Sequence, residues 1–166
     1  MKIKEVIDAL ERFAPLPLQE GYDNAGLQVG LTETEVSGAL LCLDVTESIV
    51  DEALEKRCNL IVSHHPLLFH AIKTLSDINY VQRTVMKAIE NHVTVVSMHT
   101  NLDNAQGGVN FKMAEKIGLE YVRFFDEKIV DDITSGNGVI GVLPTEMDSM
   151  AFIDKVKKVF GVECAQ

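Results

Sequence analysis

Apolar residues recur along this chain at two different spacings, and these spacings predict its helices and strands. Spacings of three and four residues predict amphipathic helices near residues 2–13, 47–57, 77–91, 109–117 and 149–160. Short apolar runs predict strands over residues 39–43, 59–63, 93–98, 121–125 and 138–144. Pro15, Pro17, Gly118 and Gly161 lie where helices are predicted to end, and Thr46 lies where an N-cap is expected.

The order of these elements predicts the fold class. From residue 39 to residue 117, strands and helices alternate with short links, a pattern typical of right-handed crossovers in a parallel sheet. The strands are almost continuously apolar, which indicates helices on both faces of the sheet. We therefore predict an α/β domain with a mainly parallel sheet over residues 1–130. Residues 131–166 are expected to begin a second α/β module that is incomplete, since its helix has no following strand.

Three histidines and an aspartate follow two of the predicted strands. His64 and His65 come directly after the strand at 59–63, and His99 and Asp103 follow the strand at 93–98. Open α/β sheets hold their sites at the carboxyl ends of their strands. Imidazole and carboxylate groups bind zinc, iron and manganese. The pattern therefore predicts a metal site at this edge.

The alternative for any one of these histidines is an ordinary surface or hydrogen-bonded residue at the end of a strand. We give that interpretation to His70 and His92. Successive side chains of an extended strand point to opposite sides, and Pro66 favours extended backbone at His65. His64 and His65 are therefore expected to diverge and to serve two separate ions.

The remaining two candidates have different expected roles. Asp103 has two carboxylate oxygens, which suits it to bridging two ions roughly 3.5–4 Å apart. His99 is either a third imidazole ligand, a hydrogen-bond partner of a ligand, or a catalytic proton shuttle.

Two further polar segments lie close to the predicted strands. Asp44 follows the strand at 39–43, and we interpret it as a cap or loop residue that at most lines the crevice, outside the metal set. Residues 20–30 are rich in Gly, Asp and Asn. Composition favours a simple connector there, and the alternative is a wall over the site.

Composition excludes several classes of function. The formal net charge of -10 and the pI of about 4.9 argue against non-specific binding to nucleic acid or to an anionic membrane. No phosphate-binding glycine loop, dinucleotide fingerprint or serine nucleophile elbow is present. The N-terminus does not read as a signal peptide, and no segment is long and apolar enough to span a bilayer. Three unpaired cysteines fit a reduced protein, so we predict a cytoplasmic location.

Three segments taken together resemble a known family. They are residues 21–30 (Gly-Tyr-Asp-Asn-Ala-Gly-Leu-Gln-Val-Gly), residues 63–69 (Ser-His-His-Pro-Leu-Leu-Phe) and residues 99–103 (His-Thr-Asn-Leu-Asp). They are similar to the Nif-three-like dinuclear-metal-centre family, whose members are often labelled GTP cyclohydrolase 1 type 2. The resemblance implies an α/β fold, a two-metal centre and a ring-shaped homohexamer.

The same resemblance implies that His64, His65 and Asp103 are metal ligands. In the family, the remaining ligands come from a His-x-x-x-Glu element near the C-terminus. No histidine follows Asp103 in this chain, so we expect it to lack that segment.

Two hypotheses of different classes follow from the residues and the resemblance. The first is a metal-dependent hydrolase of a nucleotide-like or phosphate-containing small molecule, with two divalent ions on His64, His65 and Asp103 and with His99 as catalytic residue. The second is a non-catalytic oligomeric or regulatory protein that metal stabilises. Chelator-sensitive turnover would support the first hypothesis. A melting temperature that rises with metal, without turnover, would support the second.

Overall fold

The structure, a computed structural model, describes residues 1–164. The chain divides into two compact units, Met1–Leu102 and Asp103–Gln166. The helices are α1 (Ile3–Phe13), α2 (Glu47–Glu55), α3 (Tyr80–Glu90), α4 (Thr100–Asp103), α5 (Val109–Ile117) and α6 (Ser149–Phe160). The strands are β1 (Gly26–Val29), β2 (Ala39–Cys42), β3 (Leu60–Ser63), β4 (Thr94–Ser97), β5 (Glu120–Val130) and β6 (Ile133–Val142).

The first unit is a four-stranded sheet with the strand order β1-β4-β3-β2. β2, β3 and β4 run parallel, and β1 pairs antiparallel with β4. The predicted α/β class with a mainly parallel sheet is therefore confirmed. The register aligns Cys42 with Ser63 and Ser63 with Ser97, so the three parallel strands end at one level. The residues that follow these strands emerge together at one edge.

Apolar side chains cover both faces of this sheet, as predicted. On one face, Ile61 and Val95 pack with Val50 of α2 and with Val85 and Ala88 of α3. On the other face, the α1 residues Ile3 and Ile7 pack against Leu60 and Val96. The apolar side of each helix thus faces the sheet.

Thr46 caps α2 as predicted, since its Oγ1 accepts a hydrogen bond from the Ile49 N–H at 3.4 Å. This cap begins α2 directly after the short segment that carries Asp44.

Gly30 directly follows β1 and has a conformation that favours glycine. Its φ is +112°, and a Cβ atom there would lie 2.6 Å from Thr94 Cα and 2.8 Å from Thr94 Cβ. Thr94 begins the neighbouring strand β4, so these backbone atoms cannot move without disturbing the sheet.

We expect Gly30→Ala to lower the free energy of unfolding by about 1–3 kcal/mol, because it combines an unfavourable φ with a backbone contact. Urea denaturation measures the change. Gly21→Ala is the matched control, since a Cβ at Gly21 meets no atom within 4 Å. Equal stability of the two variants would contradict the prediction.

The second unit contains α5, α6 and an antiparallel hairpin of β5 and β6. β5 continues to Val130, through polar residues in which the sequence analysis placed no element. The two strands join through Asp131 and Asp132, whose φ values are 49° and 65°. Two consecutive residues with positive φ are typical of the tight hairpin turn that matches the twist of the strands.

The structure contains neither a membrane-spanning helix nor a disulfide bond among residues 1–164. Among residues 1–164, no helix has both the length and the apolar composition that crossing a bilayer requires. Cys42, Cys58 and Cys164 are free thiols, and Cys164 is exposed.

Candidate metal centre

His64, His65 and His99 lie together at the carboxyl edge of the parallel strands. One ring nitrogen from each histidine lies within 4.8 Å of the others. The ring centroids are 5.0 Å apart for His64 and His65, 5.3 Å for His64 and His99, and 5.7 Å for His65 and His99. Three imidazoles at these separations form a donor set that fits one or more transition-metal ions.

The expectation that His64 and His65 diverge is wrong. β3 ends at Ser63, and both histidines lie in a bend after the strand, where the side chains no longer alternate. The His64 and His65 N–H groups donate to the Cys42 and Leu43 carbonyl oxygens at 3.1 and 2.9 Å. These bonds hold the bend against the chain that leaves β2, so that both rings face one cluster.

Each imidazole Nδ1 contacts an oxygen that can only accept a hydrogen bond. His64 Nδ1 lies 2.9 Å from the Met98 carbonyl oxygen. His65 Nδ1 lies 2.8 Å from Asp44 Oδ1, and His99 Nδ1 lies 2.8 Å from Asp23 Oδ1. Nδ1 must therefore be the donor in all three rings, which places the lone pair of the neutral imidazole on Nε2. Outer partners of this kind orient metal-binding histidines in proteins.

The carboxylate that holds His99 is itself tightly bound. The Asp23 side chain is fully buried, and its Oδ2 accepts hydrogen bonds from the Thr100 N–H at 3.1 Å and from the Thr100 hydroxyl. Burial raises the pKa of Asp23, but the hydrogen bonds from Thr100, His99 and Asn24 outweigh it and leave the pKa below its ordinary value. Asp23 is thus an ionised group beside His99 at neutral pH.

Buried polar side chains fix the backbone of the cluster. The hydroxyls of Ser63 and Ser97, which end neighbouring strands, lie 2.8 Å apart, and they lie 2.9 and 3.3 Å from the His65 carbonyl oxygen. Each hydroxyl has one proton, so one hydroxyl donates to the other, which in turn donates to the carbonyl oxygen. Buried Asn101 accepts from the His99 N–H at 2.9 Å and donates to the Ala14 carbonyl oxygen at 2.8 Å. Hydrogen bonds to buried side chains therefore fix the backbone at both His65 and His99.

The sequence analysis missed the roles of Asp44 and Asp23. Asp44 follows Cys42 by two residues, as His65 follows Ser63, so the parallel register aligns the two side chains. That alignment was a usable signal for Asp44. Asp23 is 76 residues from His99 in sequence, and only the glycine-flanked polar motif around it pointed to a function.

The interpretation of residues 20–30 as a connector is wrong. Gly26–Val29 forms the strand β1, and Asp23 contacts His99 and Thr100 at the cluster.

Asp103, the predicted carboxylate ligand, is the last residue of α4 and the first residue of the second unit. Its carbonyl oxygen accepts a hydrogen bond from Asn110 Nδ2 at 3.0 Å. Its role as a ligand remains a prediction, as do the roles of the three histidines. His70 and His92, interpreted as surface residues, are exposed.

A cavity of about 330 Å³ opens beside the cluster in the first unit. Its lining combines a carboxylate, an imidazole, a hydroxyl and a phenol with apolar side chains: Asp44, Val45, Thr46, His65, Pro66, Leu67 and Tyr80. This size and mixed lining suit a small polar molecule or part of a larger one.

Comparison with known proteins places these features in a family. The family model described as Duf34/NIF3 (NGG1p interacting factor 3) matches residues 1–166. Proteins named GTP cyclohydrolase 1 type 2 homolog are 36% identical in Clostridium perfringens and 32% identical in Clostridium acetobutylicum. Each alignment covers 98% of this chain, and 62% and 61% of those proteins. The chain therefore spans about three fifths of the length of these curated relatives.

A solved structure agrees with this result. The crystal structure of a Staphylococcus aureus hypothetical protein superposes with a TM-score of 0.89 at 28% identity. The superposition covers 99% of this chain and 66% of that one. The matched residues thus include nearly the whole chain.

Proposed function

Because the chain belongs to the Duf34/NIF3 family, we propose that its histidine cluster is part of a dinuclear centre for divalent metal ions. The proposed ligands are His64, His65 and Asp103, and the proposed ions are zinc, iron or manganese. The proposed activity is metal-dependent hydrolysis of a nucleotide-like or phosphate-containing small molecule. The names of the relatives support a nucleotide-like substrate only by analogy.

One observation carries this proposal. One ring nitrogen from each of three imidazoles lies within 4.8 Å of the others, and an oxygen acceptor lies at each Nδ1. Three rings held in this way have Nε2 as the nitrogen that can bind a metal ion. Histidines that bind metal usually donate their other ring N–H to an oxygen acceptor in this way.

The chain's own residues have distinct proposed tasks in hydrolysis. A divalent ion, when bound, supplies Lewis acidity toward a phosphoryl or carbonyl oxygen. Asp44 and Asp23 keep His65 and His99 in one orientation. His99 is the proposed catalytic residue, and it would exchange a proton at Nε2 because its Nδ1 donates to Asp23. The adjacent 330 Å³ cavity would hold the substrate.

A second candidate function is a metal-stabilised homo-oligomer, in line with the expected hexamer. The observation that favours assembly is the apolar edge of the sheet at β2. Leu41 is 75% exposed and Leu43 is 65% exposed, and neither β2 nor the next residue carries a charge. Exposed, uncharged edge strands pair readily with other chains.

Metal content tests the site. We expect about two divalent ions per chain in protein purified without chelator, and fewer in Asp103→Ala, because the Asp103 carboxylate would be a ligand of both ions in the proposed centre. Plasma mass spectrometry measures the content of both proteins. His92→Ala is the control, since it removes an exposed histidine outside the cluster.

The outcomes separate the two candidate functions. Wild-type protein without metal would contradict both. Metal-loaded protein that hydrolyses no phosphate ester, yet melts at a higher temperature than the metal-free form, would favour the oligomer over the hydrolase.

A further inference from the structure

Two large aromatic side chains lie exposed beside the histidine cluster. Tyr22 is 68% exposed and Phe69 is 40% exposed, and their ring centroids are 6.4 Å apart. They come from two separate segments, one before β1 and one after β3. Aromatic rings contribute most to stability when they are buried, so an exposed pair beside the cluster keeps ring surface that a ligand can cover.

The pair is continuous with the candidate metal centre. The Phe69 ring centroid lies 6.3 Å from that of His99, which is 5.3 Å from His64 and 5.7 Å from His65. A small molecule that stacks on the Phe69 ring can therefore also reach the histidine cluster, since His99 is only 6.3 Å away.

Hydrogen bonds hold the two segments together. Asn24 Nδ2, two residues after Tyr22, donates to the Leu68 carbonyl oxygen at 2.7 Å. The Gln28 amide joins both sides, since its Nε2 donates to the Asn24 carbonyl oxygen at 2.7 Å and its Oε1 accepts from the Leu68 N–H at 3.1 Å. Phe69 follows Leu68 directly, so both rings are carried by a preorganised backbone, which lowers the entropy lost when a ligand binds.

The rings around Phe69 contact it without stacking parallel to it. Tyr22, His70 and His99 meet Phe69 at interplanar angles of 62°, 66° and 88°. All three contacts are edge-type, and no ring within residues 1–164 stacks parallel to Phe69. Offset parallel stacking is favourable for aromatic pairs, and a planar heteroaromatic ring can supply it from outside.

We propose that Tyr22 and Phe69 form a stacking platform for a ligand with a planar aromatic ring, whose polar end reaches the histidine cluster. This inference deepens the proposed function and rests on it, because the metal centre provides the second anchor. It narrows the substrate from any small phosphate ester to one that carries a flat ring system.

Binding of matched phosphate compounds tests the platform. The probes are guanosine monophosphate, uridine monophosphate and flavin mononucleotide, with ribose 5-phosphate as the ring-free reference, all measured by isothermal titration calorimetry. We expect at least one ring-bearing probe to bind more than tenfold tighter than ribose 5-phosphate. Tyr22→Ala and Phe69→Ala should each weaken that probe by about 5- to 150-fold.

Controls separate stacking from folding. Phe69→Tyr keeps a ring and should bind as the wild type does. Phe125→Ala removes an aromatic ring that is 72% exposed in the second unit, and it should leave binding unchanged.

Three results would overturn the platform. These are equal binding of all four probes, alanine variants that bind the ring as wild type does, and alanine variants that change only the oligomeric mass in sedimentation. Metal content, measured on the same preparations, tests the proposed function separately. Wild-type protein without metal would contradict the proposed function. Metal-loaded protein that binds all four probes equally would contradict only the stacking platform.

Discussion

Asp23→Asn is expected to weaken metal binding by about 10- to 100-fold if His99 serves as a third imidazole ligand, the alternative to its proposed role as proton shuttle, because Asp23 is a hydrogen-bond partner of His99 and not itself a proposed ligand. The carboxylate accepts hydrogen bonds from His99 and Thr100 and lies fully buried beside the cluster. The amide keeps the size of the side chain but removes the negative charge. It can also turn an N–H toward His99 Nδ1 or Thr100, which would favour the other imidazole tautomer and move the lone pair away from Nε2.

Competition with a chelating dye for zinc measures this change. Asn24→Ala is the matched control, because it breaks the hydrogen bond to Leu68 in the same segment and leaves the carboxylate in place. If both variants lose affinity equally, the segment matters as a whole and the Asp23 carboxylate has no special role. Wild-type affinity in Asp23→Asn would contradict the prediction directly.

Asp44 offers an internal comparison for this argument. It accepts from His65 Nδ1 at the same 2.8 Å distance, but its side chain is 70% exposed and that of His65 is 49% exposed. Water competes for both partners, so an exposed pair contributes only about 0–1 kcal/mol. We therefore expect Asp44→Asn to weaken zinc binding by less than Asp23→Asn does, and the reverse order would indicate that burial does not set the strength of these contacts.

The histidine cluster could be predicted because its residues follow neighbouring parallel strands. Parallel strands end at one edge, so His64, His65 and His99 had to lie near each other once β3 and β4 were recognised. The orientation of the rings could not be predicted, because it depends on where β3 ends and on the Cys42 and Leu43 carbonyl oxygens that hold the bend. Asp23 reaches His99 through tertiary structure alone, which no local spacing encodes.

The bounds of helices α5 and α6 could be predicted from local sequence. Both have the bounds predicted from their apolar spacing, and both end at a glycine, with φ of 81° at Gly118 and 66° at Gly161. The hairpin of β5 and β6 was only partly predicted. Residues 126–130 are mostly polar, and their extended conformation comes from pairing with β6, which no apolar alternation in this segment indicates.

A substitution in β5 is expected to have a second large effect, on the stability of the second unit. Two adjacent phenylalanines in this strand have opposite environments. Phe124 is 2% exposed and Phe125 is 72% exposed, as alternation along a strand requires. The Phe124 ring meets that of Phe111 from α5 edge to face, at a centroid distance of 4.9 Å and an angle of 90°. Gly136 on β6 passes close by, since a Cβ there would lie 2.9 Å from Phe124 Cβ. Phe124 is thus the central side chain between α5 and the hairpin.

Phe124→Ala should lower the free energy of unfolding of the second unit by about 3–5 kcal/mol, because it removes a buried ring and leaves a cavity that the hairpin cannot close. Hydrogen exchange of the β5 and β6 amides measures this change within that unit. Phe125→Ala is the matched control, with an expected change of about 0.5 kcal/mol or less at an exposed position. Equal exchange rates in the two variants would show that the hairpin and α5 do not share the core that Phe124 defines. Metal content should remain at the wild-type level in Phe125→Ala, so any loss of metal in Phe124→Ala would connect the fold of this unit with the role proposed for Asp103.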